Sequence, residues 1–415
     1  MKVLHLVHQY PPDFMGGVEG YTLSLTQELV RRGGQIGVFH RAYRPGSELV
    51  SGGRDGVAIF AAADGALAPT QRFLATWRQP AILAHWRRTL EQFTPDLVHV
   101  QHLMGLPAAL LDELLTRRIP YLVTLHDYWW QCANANLLTN YAETRCDGPR
   151  AFLNCTRCAV ARAASPAAWS AAPLLWGLLA DRNRRLEPLL AQAAALLTPS
   201  EFVRRWYADH GAPAHLLQAV RLGVTPPATP IVRQERPRTA VKLLYLGGLA
   251  PNKGVHVVLE ALQGVTGAIG LAIAGDESTH PVYAARLRSL ADDRVTFLGR
   301  LARAQVWQAL ADADILVAPS LWHETFCFVA HEALAAGTPV LASAMGALTD
   351  AVREGATGRL LPPGDVAAWR GAIQALVDDP AQIDAWRARI TPPLLLAGHV
   401  DKIESIYQKI LAGAP

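Results

Sequence analysis

The sequence predicts an α/β protein of two doubly wound, Rossmann-like domains, and three observations carry that prediction. Apolar runs of strand length alternate with helix-period stretches from end to end, the pattern of a parallel sheet covered on both faces. The alternation breaks once, in Pro-rich, weakly periodic text between residues 224 and 240, and then restarts. At 415 residues the chain is also too long for one hydrophobic core, which stops improving beyond roughly 250 to 300 residues.

In the first half, strands are expected at residues 3–7, 36–40, 97–101, 121–125 and 195–198. Val18, Tyr21, Leu25 and Leu29 recur at helical spacing, and Gly33-Gly34 then ends the helix. After the 224–240 linker, strands are expected at 242–246, 271–274, 295–298, 315–318 and 340–342, with Val255, Val258, Leu259 and Leu262 as a helix stripe. The resulting division is 1–223, 224–240 and 241–395, followed by a segment, 396–415, whose helix over 400–411 crosses back to the first domain. Two such sheets would face each other across a cleft at their carboxyl ends, where open α/β sheets bind ligands.

A hydrophobic content of 51% with 18% charged residues excludes a disordered chain. The net charge of +4 suits a polyphosphate ligand or an anionic membrane surface and is too weak to argue for nucleic acid. No run reaches the ~18 apolar residues of a membrane span, and the run at 3–7 is too short for a signal peptide, so a cytoplasmic location is expected. The segment 71–90 interleaves Arg72, Arg78, Arg87 and Arg88 with Phe73, Trp77 and Trp86. It reads as an amphipathic helix of the first domain, with a seat on the inner face of the plasma membrane as the alternative.

The chemistry concentrates in PSLWHETFCFVAHEALAAGTPVLAS, where Glu324 and Glu332 lie between a buried strand and a Gly-Thr-Pro turn. Glu324 is expected in the strand's carboxyl-end loop and Glu332 two turns into the next helix. Backbone N–H groups of Thr325, Phe326 and Cys327 at that helix start can bind a diphosphate, Glu332 can accept from a ribose diol, and Glu324 can orient sugar hydroxyls. Two glutamates flanking an amphipathic helix for solubility would be the bland reading of the same text.

This element resembles the E-x7-E signature of the fourth family of retaining glycosyltransferases. The resemblance extends to YLGGLAPNKGVHVVLEAL, AGDES, VTFLGR and EGATGRLLPPGD, in that order, and to Gly16-Gly17 in PPDFMGGVEGY. It implies a GT-B architecture and transfer of a sugar from a nucleoside-diphosphate donor to a hydroxyl of a sugar, lipid-linked sugar or small molecule. It implies no cofactor for that transfer. Lys253 would neutralise the departing diphosphate. Gly248 stands where the family usually has an arginine, leaving Arg300 or another base to substitute, and Cys327 stands where the family generally has glycine. A catalytically inactive nucleotide-sugar-binding protein is the rival reading. An oxidoreductase is disfavoured, since no G-x-G-x-x-G follows the first strand.

In the first domain, Gly16 and Gly17 would let backbone approach a phosphate or sugar. His126, at the end of a strand in YLVTLHDYWW, would hold the transferred sugar or the acceptor, oriented by Asp127. Separately, Cys132, Cys146, Cys155 and Cys158 form C-x13-C-x8-C-x2-C within a loop at about 130–162 that has little apolar periodicity. Clustered thiols in a chain read as cytoplasmic suggest a structural zinc, with an iron–sulfur cluster as the alternative and free thiols as the bland reading.

Overall fold

The computed structural model describes residues 1–163, 165–227, 233 and 238–413, and divides into two compact units, Met1–Gly223 with the segment from Leu396, and Val224–Leu395. Most of the expected linker at 224–240 therefore lies outside the described residues.

The first unit runs β1 (Lys2–Val7), α1 (Gly17–Arg31), β2 (Gln35–Ala42), β3 (Leu49–Arg54), β4 (Val57–Ala63), α2 (Pro69–Leu74), α3 (Pro80–Phe93), β5 (Leu97–Val100), α4 (Ala109–Thr116), β6 (Tyr121–Thr124), α5 (Leu153–Ala163), α6 (Ala172–Ala191), β7 (Ala195–Thr198), α7 (Glu201–Asp209) and β8 (Leu217–Ala219). Its sheet has the order β3-β4-β2-β1-β5-β6-β7-β8, parallel except for β3. The central strands are buried on both faces, which is why they read as unbroken apolar runs.

The β3–β4 hairpin was not anticipated, yet Asp55-Gly56 carries its signal. Both residues take positive φ (51 and 79), as a two-residue hairpin turn requires. Residues 71–90 form two helices instead of one, broken before Pro80. Trp86 is fully buried and donates to Leu110 O (2.9 Å), so this part of the aromatic stripe belongs to the core.

The second unit runs β9 (Val241–Leu246), α8 (Val255–Leu262), β10 (Ile269–Ala274), α9 (Pro281–Leu290), β11 (Val295–Gly299), α10 (Arg303–Asp312), β12 (Ile315–Ala318), α11 (Phe328–Ala335), β13 (Val340–Ser343), α12 (Leu348–Ala351), β14 (Gly358–Leu361), α13 (Val366–Asp378) and α14 (Ala381–Arg387). Its all-parallel sheet has the order β11-β10-β9-β12-β13-β14. Numbered within the unit this is 3-2-1-4-5-6, whose winding reverses between β9 and β12.

The last helix, α15 (Leu396–Gly413), belongs to the first unit. Arg32 of the segment after α1 ties to it through Asp401 (2.6 Å) and Glu404 (2.8 Å), and the Tyr407 hydroxyl meets His99 Nδ1 at 2.6 Å.

Candidate active site

In the second unit the loops that leave β9 and β12 flank the point where the winding reverses, and both carry candidate residues. After β9, Pro251–Lys253 form a 3-10 turn closed by Gly254 at φ 71. A Cβ on Gly254 would overlap the carbonyl oxygen of Pro319, so only glycine lets this turn lie on the end of β12. Leu321 N donates to Asn252 O (2.8 Å), locking the two loops together.

The lock brings Lys253 Nζ to 2.7 Å from Glu324 Oε1. The same oxygen accepts from Ser320 Oγ (2.6 Å) and Trp322 Nε1 (2.9 Å), and the lysine ammonium stands 4.9 Å from the Trp322 ring centroid. Burial lowers the Lys253 pKa, but the Glu324 carboxylate outweighs it, and the ammonium is held above its ordinary value. It is a permanent cation. Behind it, Gly346 (φ 56) sits against the Glu324 backbone where any Cβ would collide, and Ala347 N donates to Glu324 O (2.7 Å).

Helix α11 starts at Phe328, three residues later than the expected diphosphate-binding start at Thr325. Cys327 is its N-cap, at φ 64, the left-handed region that a glycine occupies without cost, and it has no capping side chain. Burial first, then Glu324, pushes the Cys327 thiol up to about 12, so it stays neutral. Phe326 is buried and stacks on His331, with ring centroids 4.1 Å apart. Thr325 is half-buried in the connecting loop. Glu332 lies in the second turn of α11 and pairs with Arg303 Nη2 (2.7 Å), while Arg300 is exposed at the end of β11, facing Asp276. The base paired with Glu332 is thus Arg303, at the start of α10, a residue that sequence reading passed over. Gly248 is exposed, and nothing lies within 4 Å of where its Cβ would be.

In the first unit the loops after β1, β5 and β6 gather histidines. His126 is buried, and its Nε2 donates to Gln101 Oε1 (2.7 Å), whose amide nitrogen donates to His5 Nδ1 (3.1 Å). Gln101, which sequence reading passed over, therefore orients His126. Asp127 does not: it accepts from His102 Nε2 (2.9 Å), and its other oxygen takes Trp129 N (2.8 Å). Burial lowers His126 and His5 to about 3, so both imidazoles are neutral.

At the head of α1, Gly16 N donates to Glu19 Oε2 (3.0 Å), and a Cβ on Gly16 would strike that oxygen. Gly17 is open, with nothing near its absent Cβ. Glu19 also lies 3.3 Å from His8 Nε2. The helix start thus already holds a carboxylate, which disfavours a phosphate there and suits a sugar hydroxyl.

The sequence pattern of Glycosyltransferase Family 4 matches residues 15–226, half of the chain, and that of Glycosyl transferases group 1 matches residues 240–379. The chain belongs to Glycosyltransferase Family 4. A phosphatidyl-myo-inositol mannosyltransferase of Mycobacterium leprae is 39% identical over 150 residues, 34% of this chain and 38% of that protein. A glycogen synthase of Mycobacterium tuberculosis is 37% identical over 174 residues, 40% of this chain and 41% of that one. The matched stretches thus span less than half the length of these curated relatives. Among solved structures, sucrose-phosphate synthase of Thermosynechococcus elongatus shares the fold at TM-score 0.71 and 20% identity, covering 99% of each chain. HepE of Anabaena, solved in complex with UDP and glucose, does so at TM-score 0.68 and 16% identity, covering 98% of this chain and 99% of that one. These are GT-B proteins, with two parallel-sheet α/β domains.

Proposed function

We propose that the protein is a retaining glycosyltransferase moving a sugar from a nucleoside-diphosphate sugar to a hydroxyl, with the donor held by the second unit and the acceptor by the first. The observation that supports this most is the meeting of Lys253 and Glu324, at 2.7 Å, beside the uncapped start of α11. A cation beside a helix start without a side-chain cap, at one winding reversal, suits a departing diphosphate. Glu324 Oε1 is committed to three donors, which leaves Oε2 for sugar hydroxyls. Glu332 would take the ribose diol once Arg303 yields it. The acceptor hydroxyl would attack from the face the diphosphate leaves, passing its proton to the β-phosphate. The diphosphate's charge is met by Lys253 and backbone N–H groups, so transfer requires no metal.

Uridine is the first base to try, since HepE was solved with UDP and with UDP-glucose. A cytoplasmic role in making a cell-surface polysaccharide or glycolipid fits this donor class, with inner-membrane contact if the acceptor is lipid-linked. No helix among the described residues is long and apolar enough to cross a membrane.

The test is release of nucleoside diphosphate from UDP-, GDP- and ADP-sugars, with the anomeric configuration of the product read by NMR. Lys253→Ala should lower turnover on the order of 10² to 10³, the loss expected for one group that neutralises developing charge. A loss of tenfold or less would remove Lys253 from the reaction. Gly248 and Cys327 favour a second reading, a nucleotide-sugar-binding protein without catalysis, which would bind donors and release no nucleoside diphosphate.

A further inference from the structure

The run 163–180, AASPAAWSAAPLLWGLLA, takes no part in the site above and holds no charged residue. Text this apolar ordinarily fills a core. Here it faces solvent: among its described side chains only that of Leu179 is buried, while Trp169, Leu174 and Trp176 are 57%, 65% and 46% exposed. Pro166–Ala171 form a 3-10 turn and α6 begins at Ala172, so no single helix covers the run and neither piece has the apolar length of a membrane span. The run follows the cysteine segment, in which no three thiols among the described residues stand where one metal ion could be held.

The exposure follows from how α6 is anchored. From Leu179 onward it buries Leu186, Leu189 and Leu190, and Arg182 lies over the Trp129 ring (4.5 Å) and donates to Trp129 O. Before Leu179 it buries nothing. Trp176 Nε1 donates to Ala151 O (2.8 Å), which sets the start of α5 beside it, and there Leu153 is 70% exposed. Two tryptophans and two leucines are thus exposed on one helical hairpin. The Trp129 ring in turn lies 5.6 Å from that of His102, so the hairpin is anchored at the end of the sheet where the histidines gather.

The charge around these side chains has one sign. Between Asp147 and Asp181 the sequence has no acidic residue, whereas Arg150, Arg157 and Arg162 lie there and Arg184 and Arg185 follow. Asp147 meets the charge of Arg150 (3.0 Å), and the other four arginines are exposed. Tryptophan and leucine framed by arginine, with no carboxylate among them, match the interface of a bilayer that carries anionic headgroups. The apolar side chains enter the acyl boundary, and the guanidinium groups stay with the phosphates. A second copy of the chain matches less well, because an isologous contact through this surface would bring the same arginines of both copies together.

We propose that the hairpin of α5 and α6 seats the first unit on an anionic lipid bilayer through Leu153, Trp169, Leu174 and Trp176. This surface lies outside the 71–90 segment, whose Trp86 belongs to the core. Binding to lipid does not depend on sugar transfer. Delivery of a lipid-borne acceptor to the histidine end of the sheet does rest on the proposed transfer, and its failure would leave vesicle binding standing.

In flotation, full-length protein should bind phosphatidylcholine vesicles containing about 30% phosphatidylglycerol at least about tenfold more tightly than vesicles of phosphatidylcholine alone, and about 0.5 M NaCl should remove most of that difference. Leu174→Glu should weaken binding to the anionic vesicles by at least about tenfold and leave the melting temperature unchanged, since Leu174 is exposed. Val282→Glu, an exposed change in the second unit, should leave vesicle binding as it is. Should Leu174→Glu not fold, Trp169→Ser carries the same test, and quenching of wild-type tryptophan emission by lipids brominated in the acyl chain reads insertion directly. Equal binding by Leu174→Glu and wild type, no binding to anionic vesicles, or binding indifferent to phosphatidylglycerol would overturn the proposal. A dimer in sedimentation that Leu174→Glu disperses, with no vesicle binding, would replace the bilayer by a second copy of the chain.

Discussion

Mild acid should loosen the first unit well before its carboxylates titrate. Burial lowers His5 and His126 to about 3 and His399 to about 4, from an ordinary 6.5. All three stay neutral in the fold, whereas the unfolded chain protonates them near 6.5. Their neutral state therefore costs the fold nothing above pH ~6.5, and stability falls as pH drops from there towards the folded values of 3 to 4. At pH ~5.5 each group favours the unfolded chain by RT ln(1 + 10), about 1.4 kcal/mol, so the three together remove roughly 4 kcal/mol. That is a large part of a typical stability of about 5 to 15 kcal/mol. Aspartates and glutamates held below their ordinary range, such as Asp127 and Glu28, contribute only at lower pH and do not confuse the window. Amide hydrogen exchange of β1, β5 and β6 at pH ~7.5 and ~5.5, corrected for intrinsic rates, reads the change within this unit. In His126→Asn the pH-dependent difference should shrink by about 1.4 kcal/mol. A fall below about 1 kcal/mol in the wild type would show that these imidazoles are solvated or already charged.

Gly254→Ala should cost about 3 kcal/mol or more, because the added Cβ meets the Pro319 carbonyl and the turn needs positive φ, whereas Gly248→Ala should be close to neutral; urea unfolding compares the two. Gly248→Arg, with open space around the site, should tighten UDP binding about three- to tenfold by calorimetry, and an unchanged affinity would place the diphosphate away from that loop. Arg303→Ala frees Glu332 from a half-exposed ion pair, so donor affinity should rise by about five-fold or less; a weakened donor would instead make Arg303 a ligand of the nucleotide.

The central strands were legible because burial on both faces writes them as apolar runs, and the loops that bring Lys253 to Glu324 were legible because each follows such a strand. Of the edge strands, β11 was expected at 295–298, whereas β3, β8 and β14 were not. β3 is solvent-exposed along most of its length, and β14 is four residues seated on β13 through Gly358, where a Cβ would overlap the Val340 backbone. Neither leaves a hydrophobic period to read. Partners supplied across the fold were equally hidden. Gln101 reaches His126 from a neighbouring strand, and Asp127, adjacent in sequence, turns to His102 instead. Adjacency along a chain does not decide which side chain orients which once a strand has ended.

The two departures from the family pattern act on different physical quantities. At Cys327 the left-handed backbone survives the loss of glycine, at a cost of order 1 kcal/mol or more, because the loop is held from both sides. Ala330 N bonds Cys327 O (3.0 Å), and Gly346 packs on the Glu324 backbone. The thiol is neutral, so it adds bulk beside the start of α11 and no charge. Gly248, by contrast, removes a full charge from the loop after β9. A transferase built this way would keep the backbone N–H groups that shape the phosphate site and rely on Lys253 for most of its side-chain charge. Donor geometry and charge stabilisation are then separable: Cys327→Gly should act on binding through space, and Gly248→Arg on binding and turnover through charge.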